Sequence, residues 1–444
     1  MELTDKKVLV VGLARTGSEC ARFLVRQGAK VWISDLRTET DLTAEIEVLE
    51  GLPIGYFLGG EDRGWLKGMD LVVPSPGVPA ENALLREASD RGIKILSEID
   101  LAYRFLNAPM IAITGTNGKS TTTTLVGEML KAQGTKVFVG GNLGAPLIGF
   151  VRSEWEWGVV EISSFQLEWI EEFRPRVAVL LNLTEDHLDR YPNFAAYCGA
   201  KARIFENQTA QDIAIFNRDD PCVWALRQKS RARIISFGLS DTNQGVLGGS
   251  EEIVWRDGSS EERFPLRRVK IQGIHNVENM MAAIAVAKAV GVTAPVIQQT
   301  LEEFPGLEHR LEFVREKNGV RYYDDSKGTN VGAVVKSLAS FAAPVILLAG
   351  GVDKGGDYGI LREGIEKRVR RLVLFGAAKQ TIAKTLGPLT ETVMVESLAA
   401  AVRDAHEHAL PGDVVLLSPA CSSFDMFRNY AERGRVFKSL VQAL

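Results

Sequence analysis

Short, continuous apolar runs recur along this chain, and patterns typical of amphipathic helices separate most of them. Three examples are "VLVVG" (8–12), "MIAIT" (110–114) and "VILLAGG" (345–351). A strand that helices cover on both faces needs such a run, because neither of its faces meets water. The pattern therefore predicts an α/β fold built on parallel sheets.

The apolar runs fall into three blocks, so we expect the 444 residues to form three domains. Residues 1–97 are predicted to form an N-terminal Rossmann-like domain, 98–306 a central α/β domain and 307–444 a C-terminal Rossmann-like domain. The segment "EEFPGLEHR" (302–310) is the predicted hinge between the last two domains. A polar, glycine-bearing stretch, approximately 240–268, is predicted to be a small β insertion.

Composition argues against several kinds of partner and location. A formal net charge of −4 does not favour nucleic acid as a ligand. The apolar runs all fall short of the roughly 18 residues that a membrane-spanning helix needs, so no membrane insertion is expected. The four cysteines are scattered and form no C-x-x-C pair, which predicts free thiols and a reducing, cytoplasmic location.

A candidate phosphate-binding loop, "TGTNGKST" (114–121), joins the run "MIAI" to a helical pattern. The free N–H groups at a helix N-terminus favour a phosphate at such a junction. Lys119 is expected to contact the β- and γ-phosphates of a nucleotide, and the Ser120 hydroxyl to bind Mg²⁺. Ile113 stands where the usual pattern has its first glycine, and an ordinary turn with a surface lysine is the alternative. The loop predicts a central domain of the P-loop ATPase type.

Two further strand ends carry groups suited to a metal. Glu161 ends the run in "WGVVEISS" (157–164), where a carboxylate is expected to hold Mg²⁺ beside the loop. Asp186 and His187 follow the run "VAVLL" (177–181). A single histidine is usually structural, so the sequence alone leaves the role of His187 open.

The first block opens with a degraded dinucleotide fingerprint. In "VGLARTG" (11–17), Gly12, Ala14 and Gly17 occupy the three positions of G-x-G-x-x-G, and Asp35 ends the next strand. The middle glycine normally lets the backbone approach a pyrophosphate, so Ala14 weakens the case for NAD. A nucleotide held in another pose stays possible.

The third block has three polar motifs after apolar runs: "YYDDSKGTN" (322–330), "AGGVDKGGDY" (349–358) and "SPACSSFDMF" (418–427). They are expected to meet at the carboxyl edge of one sheet, where α/β proteins bind ligands. Lys327, Thr329, Lys354 and Ser423 would suit a small polyanionic substrate such as a dicarboxylate. Glycine turns with solvated lysines are the alternative.

Together these motifs resemble those of the Mur ligase family, the ATP-dependent amino-acid ligases of peptidoglycan synthesis. The family's loop is the compact "TGTNGKST", which accounts for the missing glycine. Glu161, His187, "HNVEN" (275–279), Arg310 and Asp325 match its recurring positions, in order, over essentially the whole chain. Within the family, "DDSKGTN", "SPACSSFD" and "GLARTG" look like the sequences of members that add D-glutamate to UDP-N-acetylmuramoyl-L-alanine. The resemblance implies that an acyl phosphate forms before the amide.

The resemblance implies catalytic roles for Lys119, His187 and Lys201. ATP contacts are implied for Gly115, Thr116, Asn117, Gly118, Lys119, Ser120, Thr121, Asn276, Asn279, His309, Arg310 and Asp325. Two Mg²⁺ ions are implied, with ligands among Ser120, Glu161, His187 and Lys201, the last of these as a carbamate.

Substrate contacts are implied in the same way. The UDP substrate is assigned Arg15, Thr16, Asp35, Arg37, Ser75, Pro76, Gly77, Asn142 and Gln166. D-glutamate is assigned Thr329, Lys354, Ser423 and Phe424. The placement of Lys354 in "GGVDKG" carries some alignment freedom, and Ser422 is the alternative to Ser423.

Two other functions stay open on the sequence. One is a related ligase that adds a different amino acid, such as a folylpolyglutamate synthase-like enzyme. The other is a binding protein that hydrolyses ATP to move its domains. A monomer is expected, with the C-terminal domain closing on the central one.

Overall fold

Three β-sheets follow one another along the chain in the computed structural model. The structure describes residues 1–151, 154–240, 244–258, 260–271 and 273–444. Within those residues the sheets have five, nine and six strands, and helices pack on their faces. The predicted α/β class with three sheets is confirmed. No described helix is long and apolar enough to cross a bilayer.

The first sheet is entirely parallel. Its strands are β1 (Lys7–Val11), β2 (Lys30–Asp35), β3 (Ile54–Leu58), β4 (Leu71–Pro74) and β5 (Lys94–Ile95). The helices are α1 (Arg15–Arg26), α2 (Thr43–Glu47) and α3 (Ala83–Asp90). The strand order is β3-β2-β1-β4-β5, which brings the carboxyl ends of β1, β2 and β4 together at one edge.

The second sheet contains the predicted phosphate loop. Its strands are β6 (Met110–Thr114), β7 (Val137–Gly141), β8 (Trp157–Glu161), β9 (Val177–Leu180), β10 (Ile213–Asn217), β11 (Arg233–Gly238), β12 (Gln244–Gly248), β13 (Glu252–Asp257) and β14 (Ser260–Pro265). The helices are α4 (Glu98–Tyr103), α5 (Lys119–Ala132), α6 (Ser164–Leu167), α7 (Phe194–Ala202), α8 (Pro221–Leu226), α9 (Ile274–Ala289) and α10 (Ala294–Glu303). The order is β14-β13-β12-β11-β10-β9-β6-β8-β7, so β6 has β8 and β9 as its neighbours.

The stretch predicted as a small β insertion extends this second sheet at one edge. Strands β12, β13 and β14 pair antiparallel to one another, whereas β11 and β12 are parallel. Residues 241–243 and 259 of that stretch lie outside the described residues. The alternating polarity of this segment fits an edge that keeps one face in water.

Helix α9 is buried along most of its length. It was predicted from about Asn276 to Val290, and the structure places it at Ile274–Ala289. Nine consecutive residues, Asn279 to Ala287, are buried, and the helix packs against α5 and the sheet. A helix that is apolar on all sides belongs in a core. Asn276 and Asn279 lie in its first two turns, beside the phosphate loop.

The third sheet is parallel except at one edge. Its strands are β15 (Glu312–Lys317), β16 (Val320–Asp324), β17 (Val345–Gly350), β18 (Val369–Phe375), β19 (Glu391–Met394) and β20 (Val414–Leu417). The helices are α11 (Val331–Ala339), α12 (Arg362–Arg368), α13 (Lys379–Leu386), α14 (Leu398–His408) and α15 (Tyr430–Ala443). The order is β15-β16-β20-β17-β18-β19, with β15 antiparallel to β16. Because β16, β20 and β17 are neighbours, the three polar motifs that follow them lie together, as predicted.

Two carboxylates of α4 differ sharply in their partners. The Oδ1 of buried Asp100 accepts the backbone N–H groups of residues 171, 172 and 173 at 2.7–2.8 Å, and its Oδ2 pairs with Arg104. The Oε1 of Glu98 accepts the Ile148 N–H at 2.7 Å, whereas its Oε2 is buried without a hydrogen-bond partner among the described residues. Burial raises the pKa of Glu98 to about 7.

Glu98→Gln is expected to remove a pH-dependent part of the stability. The pKa of Glu98 rises from an ordinary 4.5 to about 7 on folding, so the folded state keeps this proton to higher pH. Wild-type stability therefore falls as the pH rises through that window. Between pH 4.5 and about 7, the free energy of unfolding of the variant should rise relative to that of the wild type. At higher pH the difference between the two should stay constant. Urea unfolding measures this, with exposed Glu50→Gln as the control for losing one carboxylate. A difference that is the same at every pH would contradict the assignment.

Candidate active site

The phosphate loop bends at two glycines between β6 and α5. Gly115 and Gly118 have φ angles of +150° and +85°, and a side chain at either position would meet close neighbours. A Cβ at Gly118 would lie 2.1 Å from the Asn279 Oδ1, and one at Gly115 would lie 2.9 Å from the Leu181 Cβ. Gly118 also caps α5 and has no side chain to occupy the first N–H groups of the helix. Those groups are therefore available to an anion.

Lys119 folds back over this loop. Its Nζ donates to the carbonyl oxygens of Gly115 and Thr116 at 3.0 and 2.9 Å. Removal from water lowers the pKa of Lys119, while the charge of Glu161 opposes that change. The ammonium is thus held above the loop, where a phosphate would gain most from its charge.

Ser120 lies at the centre of a group of cations. It is fully buried, and its Oγ accepts hydrogen bonds from the Lys327 Nζ at 3.0 Å and the Arg310 Nη2 at 3.2 Å. Burial lowers the pKa of Lys327 to about 7, and the charges of Arg310 and Lys119 act in the same direction. Both donors come from the C-terminal domain, so that domain is docked on the loop.

Glu161 has the free oxygen that a metal site needs. It ends β8 and is 2% exposed, and its Oε1 accepts the Asn142 Nδ2 at 2.7 Å. Its Oε2 is buried with no hydrogen-bond partner among the described residues. Burial alone would raise the pKa of this carboxyl, but the charges of Lys119 and Lys327 lower it, so it is ionised. An ionised, unsatisfied oxygen beside the Ser120 hydroxyl fits a hard cation such as Mg²⁺.

Asp186 and His187 lie across the loop from Glu161. The Asp186 carboxylate accepts the Lys354 Nζ at 3.3 Å and the Asn330 Nδ2 at 3.2 Å. His187 has a left-handed backbone, with φ of +56°. Burial lowers its pKa to about 4, so the imidazole is neutral near pH 7 and keeps a lone pair for a metal or a proton.

Lys201 is a buried lysine on α7. It is 2% exposed, and its Nζ lies 4.9 Å from the centroid of the Tyr197 ring. Burial lowers its pKa well below the usual value, and the charge of Lys119 adds to the effect. The lowered pKa favours the neutral, nucleophilic form of the amine.

A cavity between the central and C-terminal domains adjoins the loop. Its lining includes seven predicted ATP contacts: Asn117, Gly118, Thr121, Asn276, Asn279, Arg310 and Asp325. A second cavity of about 690 Å³, lined by Asn276, Arg310, Leu307, Tyr323 and Phe341 among others, shares two of those residues. The two together have the size and mixed polarity of a nucleoside site.

His309 lies behind this cavity instead of lining it. It is 2% exposed with φ of +63°, and its Nδ1 is 2.6 Å from the Asp324 Oδ2. Its carbonyl accepts the Lys327 N–H. The structure thus places His309 next to Arg310 and Lys327, in a position to orient them. Asp325 is buried nearby, where its Oδ2 accepts the hydroxyls of Ser337 and Ser418, and burial raises its pKa to about 6.

Two of the predicted UDP-binding residues of the first domain, Asp35 and Gly77, line a cavity of about 150 Å³. Asp35 lines it and accepts the Leu13 N–H at 2.8 Å, while Arg37 pairs with Asp35 at 2.9 Å. The Ser75 hydroxyl donates to the Gly12 carbonyl at 2.7 Å. The remaining residues lie around this edge: Arg15 and Thr16 in the first turn of α1, and Pro76 and Gly77 after β4.

Two other predicted substrate residues belong to the central domain. Asn142 is bound to Glu161 through both its side chain and its backbone N–H. Gln166 closes a capping box with Ser163 at the start of α6. They lie on the central-domain side, apart from the first-domain cavity. A ligand that touched both groups would have to span two domains.

The predicted D-glutamate residues lie on the C-terminal side of the site. Lys354 faces Asp186, and Thr329 follows Lys327 in its loop. Ser423 is buried, whereas Phe424 is 73% exposed. The Ser422 hydroxyl donates to the Val352 carbonyl at 3.2 Å. The assignment of D-glutamate to Ser423, with Ser422 as the alternative, stays a prediction.

Three family models match the chain in succession. The model for the N-terminal domain of MurD-like Mur ligases matches residues 6–97, and that for the Mur ligase middle domain matches 113–287. The model for the Mur ligase glutamate ligase domain matches 309–421.

This chain belongs to the Mur ligase family. Two curated relatives are named UDP-N-acetylmuramoylalanine–D-glutamate ligase. The protein from Geotalea uraniireducens is 52% identical, with 100% of this chain and 99% of the relative covered. The protein from Trichlorobacter lovleyi is 50% identical, with both chains covered completely.

Solved structures share the fold of this Mur ligase at much lower identity. A pseudomurein peptide ligase type C from Methanothermus fervidus is 18% identical with a TM-score of 0.64, covering 99% of this chain and 100% of that one. A UDP-N-acetylmuramate–alanine ligase from Thermotoga maritima is 22% identical with a TM-score of 0.61, covering 99% of each chain. At these identities the likeness concerns the three-domain fold.

Several residues at the centre of this Mur ligase are not among the predicted sites. The Asn330 amide contacts both Asn117 and Asp186, and so joins the C-terminal domain to the loop and to the metal-site candidates. Lys336 pairs with Glu278 of α9. A polar residue at a helix start, such as Asn330, predicts a cap. Its contacts across the domain boundary depend on docking, for which the sequence gives no local signal.

Proposed function

We propose that this Mur ligase joins D-glutamate to the terminal carboxylate of UDP-N-acetylmuramoyl-L-alanine with ATP as the energy source. The observation that carries the proposal is the Lys354–Asp186 contact, which brings the candidate amino-acid motif next to the phosphate loop. The two relatives described above have this activity in their names. The reaction would belong to cytoplasmic peptidoglycan synthesis, and hence to cell-wall growth, cell shape and division.

ATP would bind with its phosphates on the loop and its adenosine between the two domains. The N–H groups at the start of α5 and the Lys119 ammonium would hold the β- and γ-phosphates. Asn276, Asn279 and Arg310 line the adjoining cavities that would hold the nucleoside. The resemblance extends the ATP contacts to the other residues of the phosphate loop and also to His309 and Asp325. His309 would act through Arg310.

Mg²⁺ would bind where the oxygen donors of the central domain meet. Ser120 and the unpartnered Oε2 of Glu161 fit one ion, and His187 with a carbamate on Lys201 fits a second. When bound, Mg²⁺ neutralises charge on the phosphates and so lowers the barrier to phosphoryl transfer. The neutral imidazole of His187 suits a ligand better than a general base, because a group with a pKa of about 4 takes up a proton poorly.

The chain's own cations would make the first chemical step possible. The alanyl carboxylate must approach the γ-phosphate of ATP, and both are anions. Lys119, Lys327 and Arg310 surround that position, so they offset the repulsion and stabilise the charge of the transition state. A carboxylate oxygen bonds to the γ-phosphorus as ADP leaves, and the product is an acyl phosphate whose phosphate is a good leaving group. The neutral amine of D-glutamate then attacks the acyl carbon, the bond to phosphate breaks, and the new amide nitrogen releases one proton.

D-glutamate would be held by the C-terminal domain. Lys354 and the Ser423 hydroxyl would bind its carboxylates, with Thr329 and Phe424 beside them. The ion pair of Lys354 with Asp186 would place the amine close to the acyl phosphate. Docking of this domain also covers the loop, which protects the acyl phosphate from water.

Lys201 would act as a carbamate. The lowered pKa of Lys201 favours the neutral form of the amine, which can attack carbon dioxide, forming a C–N bond and releasing one proton. The product is a carboxylate in place of an ammonium, which suits a site that holds Mg²⁺.

All the proposed site residues come from one chain, so we also propose that the enzyme acts as a monomer.

The amino-acid requirement tests the whole proposal. With ATP, Mg²⁺ and UDP-N-acetylmuramoyl-L-alanine present, phosphate release should depend on added D-glutamate and should be far slower with L-glutamate. Coupled phosphate release and mass spectrometry of the product measure this. Release without any amino acid would point to an ATPase switch, and release with L-glutamate or another amino acid would point to a different ligase.

Lys119→Ala is expected to weaken ATP binding by at least about tenfold, because a charge-assisted contact to the phosphates is lost. Calorimetric titration of ATP measures the affinity, and thermal unfolding checks the fold. Lys131→Ala removes an exposed lysine from the same helix and is the matched control. Unchanged ATP affinity in Lys119→Ala would remove the basis for the phosphate role.

Lys201→Ala is expected to lose nearly all activity and to regain part of it with added short carboxylic acids, which supply the missing carboxylate. In the wild-type protein, ¹³C NMR with labelled bicarbonate should show a carbamate carbon that is absent from the variant. Full activity in Lys201→Ala, or no carbamate signal in the wild type, would exclude this role.

A further inference from the structure

Arg190 connects the first domain to the centre of the site. It lies three residues after His187, in the segment 185–191 of the central domain that we call the His187 loop. Its side chain is 11% exposed. Its Nη1 donates to the Pro76 carbonyl at 3.0 Å, and its Nη2 donates to the Val78 carbonyl at 2.9 Å. These carbonyls flank Gly77, in the segment 75–78 that we call the SPG loop. A guanidinium of the central domain thus binds the candidate UDP-binding loop of the first domain.

The guanidinium is fixed on its other sides as well. Its Nε and Nη2 donate to the two oxygens of Glu168 at 3.2 and 2.5 Å, and its Cζ lies 4.1 Å from the centroid of the Phe165 ring. The Tyr191 hydroxyl donates to the same carboxylate at 2.6 Å. A planar fork that is bidentate to a carboxylate and stacked on a ring has little freedom to move.

The same residues hold His187. The backbone N–H groups of Arg190 and Tyr191 both donate to the His187 carbonyl at 3.0 Å, and the Phe165 ring packs edge-on against the imidazole with centroids 4.8 Å apart. A displacement of the SPG loop would therefore shift His187, and a displacement of His187 would shift the SPG loop.

We propose that Arg190 is a positioning residue that fixes the SPG loop relative to the His187 loop, so that one nucleotide-sugar substrate spans both. This inference rests on the proposed function. The substrate has a fixed length between its uridine end, in the first domain, and its alanyl carboxylate, beside the phosphate loop. The register of the two loops therefore determines whether that carboxylate reaches the γ-phosphate of ATP. Misplacement by about 1 Å can cost roughly a hundredfold in rate.

Other contacts keep the first domain docked when Arg190 is changed. Lys94 pairs with Glu171 at 2.6 Å, and the Ser97 N–H donates to the Trp169 carbonyl at 2.8 Å. Neither contact involves the SPG loop. Arg190→Lys keeps the positive charge but has a single ammonium, which cannot replace the fork that reaches two carbonyls and a carboxylate at once.

Binding of two ligands tests the role. Arg190→Lys should weaken binding of UDP-N-acetylmuramoyl-L-alanine by about tenfold or more, because that ligand touches both loops. Binding of UDP alone, which needs only the first domain, should change by less than about twofold, as should the KM values for ATP and D-glutamate. Calorimetric titration gives the affinities. The matched control is Arg104→Lys, a buried arginine near the same domain junction that pairs with Asp100, Glu171 and Glu172.

Equal losses for both ligands, no loss for either, or the same split in Arg104→Lys would overturn the role of Arg190. If Arg190→Lys unfolds, Glu168→Gln is the second variant, because it loosens the guanidinium without removing it. It should weaken binding of the nucleotide-sugar more than binding of UDP, by a smaller factor than Arg190→Lys. Equal effects on the two ligands in Glu168→Gln would also overturn the role. Wild-type protein that binds the nucleotide-sugar but releases no phosphate with D-glutamate would refute the proposed function while leaving the positioning test intact.

Discussion

The arrangement of this site depends on an excess of positive charge at the junction of the central and C-terminal domains. Lys327 and Arg310 meet at Ser120, Lys119 lies over the adjoining phosphate loop, and Lys354 pairs with Asp186. Repulsion among buried cations is costly unless anions compensate it. Glu161 and Asp186 compensate part of it, and a triphosphate would supply the rest. Under the proposed function, the charge of the bound nucleotide would favour close docking of the C-terminal domain.

Much of the fold can be predicted from the chain because each parallel strand is a short apolar run that ends in a turn. The phosphate loop, Glu161 and the Asp186–His187 pair all lie at such strand ends, and the strand order brings them together. The edge strands are harder to predict. The antiparallel β13 and β14, like β15, have mixed polarity, which fits a strand at an edge as well as it fits a loop.

Contacts between domains are the part of the site that local patterns do not reveal. Asn330 reads as a helix cap, and it is one, yet its amide also contacts Asn117 and Asp186 in another domain. His309 is a different case. Only the resemblance to the family implied its contact with ATP, and its ring Nδ1 lies 2.6 Å from the Asp324 Oδ2. The contacts of Asn330 depend on how folded domains meet, which no window of neighbouring residues records.

Two side chains in this molecule bind main-chain atoms of another segment. Asp100 holds three successive backbone N–H groups at 171–173, and Arg190 holds the carbonyls of Pro76 and Val78. A main-chain group is the same whatever side chain it carries. As far as the anchoring alone is concerned, the side chains of the bound segments could be replaced without loss of these hydrogen bonds, whereas those of Asp100 and Arg190 could not.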